Sequence, residues 1–383
     1  MSDRLETLEL LKQTVRRFVR DDLIPAEEDV EEHDRIPEPI IQQLKSLGLF
    51  GMTIPEEYGG LGLSLFEEVS IVFEVAYASP VFRSYFGTSN GVGTLGIISH
   101  GTEEQRRRYL PRIAKGDLIA SFCLTEPDAG SDAAALTTKA VRDGDHYIIN
   151  GTKRFTTNSP HAGIFTVFAR TAPAETRSRG ISAFLVERGT PGITVAKPYR
   201  KMGFRGSHTA DVIFEDVRVP ASSLLGGSEG TGFIAAMQSL DHARLHMSAV
   251  AVGMCERLIH EGVRYAGERK QFGRTIGQFQ LIQAMLADCA AEALAARAMV
   301  EKVATEYSAG RHVSKESACC KYFATEALGR IADRVLQIHG GYGYIKEYPV
   351  ERLFRDARLL RIFEGTSQIQ QLVIAKEMLK QAS

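Results

Sequence analysis

Near the C-terminus, Ile362-Phe363-Glu364-Gly365-Thr366-Ser367-Gln368-Ile369 sets one carboxylate between an apolar pair and a Gly-Thr-Ser turn. Ile362 and Phe363 would strip water from Glu364 and raise its pKa toward the range of a general base. Gly365 removes a side chain where a substrate would come closest to the backbone. Thr366 or Ser367 can cap the apolar run Ile369, Leu372, Val373 as a helix N-terminus, a natural seat for a phosphate or pyrophosphate. About 230 residues upstream, Cys123-Leu124-Thr125-Glu126-Pro127-Asp128-Ala129-Gly130-Ser131-Asp132 combines small residues, hydroxyls and a Pro-Asp-Ala-Gly turn whose amides can approach an anion. Taken singly, the first segment is a surface Glu ahead of a capped helix, and the second is a polar turn after a strand.

Three stretches of different character must position these segments. Residues 1 to about 118 read as helices punctuated by Pro25, Pro37, Pro55 and Pro80. Thr102-Glu103-Glu104-Gln105 is a capping box that opens a helix ending near Lys115-Gly116. Residues 119 to about 226 are β-prone. His146 to Thr157 gives two such runs around Asn150-Gly151, which predicts a hairpin. Ile164 to Phe168, Ile181 to Val186, Ile193 to Val195 and Val212 to Phe214 complete a small antiparallel barrel or sandwich. From 227 to 383 the helical period returns, with one stripe of Met247, Val250, Met254 and Leu258. A second is Ile282, Leu286, Cys289, Ala293 and Val300. A third, Phe323, Ala327, Ile331, Val335 and Ile338, stops at Gly340-Gly341. Long helices with short connections predict a bundle.

The 383 residues are 44% hydrophobic and 24% charged, enough for a large core, and the net charge of -1 argues against nucleic-acid or membrane-surface binding. Arg106-Arg107-Arg108 follows Glu103-Glu104 and reads as a solvated face. The five cysteines, without any Cys-x-x-Cys, predict reduced thiols, with no disulfide framework and no metal site. The charged N-terminus and the absence of a long apolar run predict a cytoplasmic, bacterial protein.

Further motifs stand in order. They are Lys201-Met202-Gly203-Phe204-Arg205-Gly206-Ser207 with Phe214 to Pro220, Glu268-Arg269-Lys270-Gln271-Phe272-Gly273 with Phe279-Gln280, Gln337-Ile338-His339-Gly340-Gly341, and Tyr348-Pro349-Val350-Glu351. Together with the two opening segments, this series resembles the acyl-CoA dehydrogenase family of flavoenzymes over nearly the whole chain. The resemblance implies an α+β fold with an N-terminal helical domain (1–118), a middle antiparallel β domain (119–226) and a C-terminal four-helix bundle (227–383). It also implies a homotetramer built as a dimer of dimers.

The implied reaction is FAD-dependent α,β-dehydrogenation of an acyl-CoA thioester to the trans-2-enoyl-CoA in lipid metabolism, with electrons passed to an electron-transferring flavoprotein. Such a reaction needs a base for the α proton, a hydride acceptor and donors to the thioester carbonyl. By resemblance Glu364 is the base and its amide one of those donors. Ala243 stands where other branches place their base, which fits the short/medium-chain arrangement. Phe122, Leu124, Thr125, Gly130 and Ser131 would lie along the flavin, with Phe155 and Thr157 covering its ring. Phe155 replaces the Trp of many relatives. Arg269, Gln271, Phe272, Phe279 and Gln280, and on the adenine side Gln337, Gly340 and Gly341, match positions that reach the FAD of a neighbouring subunit. Thr366 and Gln368 match a pyrophosphate contact. Asp241, Arg244, Ser131 and Gly365 match substrate contacts.

Arg83 aligns with the floor of the acyl pocket, where glutaryl-type relatives bind a distal carboxylate. The alternative substrate is therefore a dicarboxylyl-CoA, although the acidic partner of that branch falls on Ala76 and its Tyr on Phe363. The bland reading pairs Arg83 with an acid such as Glu74. Gly87, one turn on, suggests room at that end. The alternative of another class is a non-catalytic scaffold that keeps the fold.

Overall fold

The computed structural model describes residues 2–380. Seven helices come first: α1 (Ser2–Phe18), α2 (Ile24–His33), α3 (Glu38–Ser46), α4 (Leu65–Val75), α5 (Pro80–Asn90), α6 (Leu95–His100) and α7 (Glu103–Ala114). The sheet follows as β1 (Ala120–Cys123), β2 (Lys139–Asp143), β3 (His146–Thr157), β4 (Ile164–Arg170), β5 (Ile181–Glu187), β6 (Ile193–Val195) and β7 (Thr209–Pro220). The last part is α8 (Gly232–Glu268), a short ribbon of β8 (Lys270–Gln271) and β9 (Arg274–Thr275), then α9 (Gln280–Ser308), α10 (Ser314–His339), α11 (Pro349–Leu360) and α12 (Ser367–Lys380).

Local signals in the chain explain these ends. Thr102 and Gln105 form the reciprocal capping box, and α7 stops at Gly116, whose φ of 72° suits only glycine well. The predicted stripe Met247, Val250, Met254 and Leu258 is wholly buried on α8. It meets Val69, Val72 and Phe73 of α4 and Ile331 and Val335 of α10 in one core. The helical N-terminal part and the C-terminal bundle therefore share a single interior, with α8 running through it. At 37 residues, α8 is about 55 Å long.

The seven-stranded sheet runs β1-β4-β2-β3-β7-β6, with β5 also on β4. Its pairings are antiparallel except β1 and β2 against β4, so the expected antiparallel domain carries a parallel element beside the site. Asn150-Gly151 does not turn a hairpin, as its sequence predicted. The chain turns at Gly144-Asp145, between Asp143 and His146, and β3 runs on unbroken to Thr157. Asn150-Gly151 is instead an irregularity in the β3–β7 register. A Cβ on Gly151 would lie 2.3 Å from Thr138 Oγ1, and the Asn150 amide pairs with Asp216 on β7. A second register shift lies between Lys153 and Thr156. Strict alternation would send Phe155 inward after buried Lys153. The bulge, with φ of 54° at Phe155, turns that ring outward to 60% exposure.

Lys153 is the inward counterpart. Its Nζ donates to Glu126 Oε1 at 2.7 Å and to the Leu124 carbonyl at 3.2 Å. Glu126 also accepts from the amides of Thr137 and Thr138. Burial alone would raise the Glu126 carboxyl, but Lys153 and these donors bring it down to about 2. The pair thus staples the 124–131 loop to the sheet. Replacing Lys153 with Met should cost about 3–5 kcal/mol in denaturant unfolding, because it strands a buried carboxylate. The double variant K153M/E126Q should lose clearly less than the sum of the single changes.

Candidate active site

Helix α11 closes at Leu360, and the chain then reverses through two left-handed residues, Glu364 at φ 55° and Gly365 at φ 88°. A non-glycine residue there is strained and must be held by its surroundings. The Gly365 carbonyl accepts from Lys321 Nζ at 2.7 Å and from Gln370 Nε2 at 3.0 Å. Gln370 also reaches the Glu364 carbonyl, at 3.2 Å. Thr366 Oγ1 accepts from the Ile369 amide and so caps α12, as its sequence predicted. The Glu364 amide makes no hydrogen bond among the described residues.

Burial raises the Glu364 carboxyl above its ordinary value, and Arg83, Lys321 and Arg244 pull the other way. Ile362 has little part in that desolvation, because it is 49% exposed. Phe363 contributes through an edge contact with Phe204, their ring centroids 6.1 Å apart. The cations are themselves constrained. Burial pushes Arg83 down to about 10 and Lys321 down to about 8, with Glu364 opposing both shifts.

Glu364, Arg83, Thr157, Lys201, Phe204 and Ala243 line one cavity between the sheet and the two helical parts. Arg83 therefore shares a cavity with Glu364. It does not pair with Glu74, which is held by Arg16 at 2.8 Å. Nor does Gly87 leave empty room, since a Cβ there would lie 2.5 Å from Arg83 Cζ. The glycine gives its space to the guanidinium. Asp241 and Arg244 form an i,i+3 pair at 2.6 Å, and Asp241 also accepts from Ser314. Asp241 lines a neighbouring cleft together with Leu95, Gln238 and Tyr307.

Along the sheet edge, Phe122 is half-buried and Leu124 buried, and the Thr125 carbonyl accepts from the Arg154 amide. Gly130 and Ser131 are exposed, with nothing within 4 Å of a Cβ built on Gly130. Thr157 reaches the Glu364 cavity itself. An open backbone loop, a flat exposed Phe155 ring and a hydroxyl at the cavity mouth suit a planar, anionic cofactor such as a flavin nucleotide. The bundle residues stand apart from this edge. Gln271, Phe272 and Gln280 are exposed, Phe272 to 92%. Arg269 lies over the Tyr342 ring and thereby joins them to exposed Gly340 and Gly341, one turn past Gln337. Gln368 is exposed on the first turn of α12.

Three residues of this region were not singled out from sequence. Lys321 carried a signal, a lysine in phase with Ala324 and Leu328 on the buried stripe of α10. His246 carried a weaker one, the His242–His246 spacing of four that sets both rings on one face of α8, and Glu68 on α4 carried none.

Models of the acyl-CoA dehydrogenase N-terminal, middle and C-terminal domains match residues 6–117, 121–217 and 230–379. Over 374 residues the chain is 43% identical to the acryloyl-CoA reductase (NADH) of Anaerotignum propionicum, covering 97% of this chain and 94% of that one. It is 42% identical over 370 residues to an acyl-CoA dehydrogenase of Bacillus subtilis (strain 168), covering 97% of each. A structure described for the electron transferring flavoprotein of Acidaminococcus fermentans superposes with a TM-score of 0.94 at 38% identity, over 97% of both chains. Acyl-CoA dehydrogenases use FAD, and FAD is the cofactor of this chain. With all three domain models matched, and with relatives above 40% identity across almost its full length, this chain belongs to the acyl-CoA dehydrogenase family, oxidoreductases acting on CH–CH groups.

Proposed function

We propose that the protein oxidises an acyl-CoA thioester to the trans-2-enoyl-CoA, with Glu364 taking the α proton. The observation that carries this reading is a half-buried carboxylate with a raised pKa in a cavity walled by Arg83 and Ala243, beside a free backbone N–H. Glu364 is poised to take a proton from a group bound in that cavity. Its own amide is available to a thioester oxygen as negative charge grows there. Bound FAD supplies the hydride acceptor. Lys321 and Gln370 hold the loop so that base and amide present themselves together. The same groups serve the reverse reaction, in keeping with a relative named as a reductase.

In this proposal the 122–131 loop, Phe155 and Thr157 seat the flavin, with Thr366 and Gln368 at the pyrophosphate. Asp241 and Arg244 meet the CoA portion. Arg269, Gln271, Phe272, Phe279, Gln280, Gln337, Gly340 and Gly341 complete the FAD site of a neighbouring copy in a tetramer. The 92% exposure of Phe272 supports that assembly, since a bare aromatic at a ribbon tip is otherwise uncompensated. An electron-transferring flavoprotein takes the electrons. A second reading, an acyl group ending in a carboxylate, is favoured by the guanidinium of Arg83 in the same cavity as the base.

Anaerobic titration with straight, branched, cyclic and ω-carboxyl acyl-CoAs should bleach the flavin with at least one class, and silence from all of them, with FAD bound, would refute the dehydrogenase reading. Changing Glu364 to Gln should slow bleaching by about 10²–10⁴-fold with FAD still bound. Changing Lys321 to Met removes a positive charge that favours ionised Glu364. The acid limb of kcat/KM should then move to higher pH, and an unmoved limb would show that Lys321 acts only on the loop.

A further inference from the structure

Behind Arg83 lies a cluster of buried polar groups that the chemistry above leaves unused. Glu68 on α4 and His246 on α8 have no exposure, and His242, one turn earlier, is also buried. Glu68 Oε1 is 2.5 Å from His246 Nδ1. Its Oε2 is 2.6 Å from His242 Nε2, which is misdirected for a hydrogen bond. On the other edge of the His246 ring, Arg83 Nε donates to Nε2 at 2.5 Å.

A guanidinium can only donate, so His246 Nε2 must present a lone pair. The neutral ring then carries its proton on Nδ1, where the Glu68 carboxylate accepts it. A single tautomer satisfies both edges. The three side chains are close enough together to surround a cation. A metal on Nδ1 would move the ring proton to Nε2, however, setting donor against donor at Arg83. A doubly protonated ring meets the same conflict. Burial, reinforced by Arg83, pushes the imidazole down to about 4, which leaves it neutral near pH 7.

The terminal nitrogens of Arg83 make no hydrogen bond among the described residues, and the side chain lines the cavity with Glu364. We propose that Glu68 and His246 are positioning residues for Arg83: the neutral imidazole, locked by Glu68, fixes the guanidinium by its Nε and turns its terminal N–H groups and its charge onto the base and the far end of the acyl group. Glu68 thereby supplies the counter-charge that the motif position Ala76 lacks. This inference rests on Glu364 being the base. The charged and titratable groups around the ring are Glu68 on α4, Arg83 on α5, His242 and Arg244 on α8, Tyr307 on α9 against His242, Lys321 on α10, and Glu364.

Two variants separate positioning from packing. H246Q keeps an acceptor near the Nε2 position, whereas H246N keeps only the inner contact to Glu68. With the acyl-CoA that bleaches the holoenzyme fastest, R83Q and H246N should each move the acid limb of kcat/KM up by about half a pH unit or more, because R83Q removes the positive charge near Glu364 and H246N releases it from its anchor. H246Q should stay near the parent. Equal shifts in H246N and H246Q, or a limb that H246N leaves in place, would overturn the proposal. If no acyl-CoA reduces the flavin, the reading of Glu364 fails separately, and the tautomer still decides the relay. In ¹⁵N-histidine-labelled holoenzyme, signals absent from H246Q should show a protonated Nδ1 and an unprotonated Nε2 from pH 6 to 8. A proton on Nε2, or zinc retained by the parent and lost in H246N, would refute it.

Discussion

A carboxylate taken out of water must be given other company, and the active-site half of this protein is arranged around that constraint. Among the described residues Glu364 makes no salt bridge. It is approached instead by three cations on three different helices, Arg83 on α5, Arg244 on α8 and Lys321 on α10. None of them donates to it directly among the described residues. Each is occupied elsewhere, Arg83 with His246, Arg244 with Asp241 and Lys321 with the Gly365 carbonyl. Their fields favour ionised Glu364 while their hydrogen bonds are made elsewhere, which leaves its lone pairs open. A direct ion pair would have lowered its basicity and blocked it.

The strained backbone belongs to the same arrangement. A left-handed glutamate is tolerable because Lys321 and Gln370 converge on the next carbonyl. Those contacts come from α10 and α12, so the loop is held by the bundle and not by its own short turn. Phe155 is the parallel case on the sheet side, a left-handed aromatic that a bulge aims outward while Lys153 is driven inward to hold the 124–131 loop. Both walls of the site thus combine one displaced residue with one buried lysine that fixes its neighbourhood.

Much of this was legible in the chain. Glu364, its capped helix, the β-prone middle and the three apolar stripes follow from spacing and side-chain type, because they depend on period and on local turn chemistry. The two errors of local structure share a cause. Asn150-Gly151 was read as a turn although pairing with β7 along the whole of β3 outweighs its turn preference. Gly87 was read as free space, whereas the residue filling it lies one turn earlier on the same helix. The His246–Glu68 contact joins residues 178 apart, and nothing in the period of α4 or α8 announces which buried polar side chains will meet. The residues proposed to complete a neighbouring copy's FAD site were legible only through the family pattern, since within one chain most of them lie on exposed surface.

The way Arg83 lies across Gly87 also bears on how the molecule measures its substrate. In the proposed reading the end of the acyl chamber is a side chain packed along its own helix, so the stop travels with α5. Its Nε contact then pins that stop to α8, which also carries Ala243 beside the base. That stop is therefore referenced to α5 and α8, whereas Glu364 is held from α10 and α12, so the spacing between the two is set by how these helices pack.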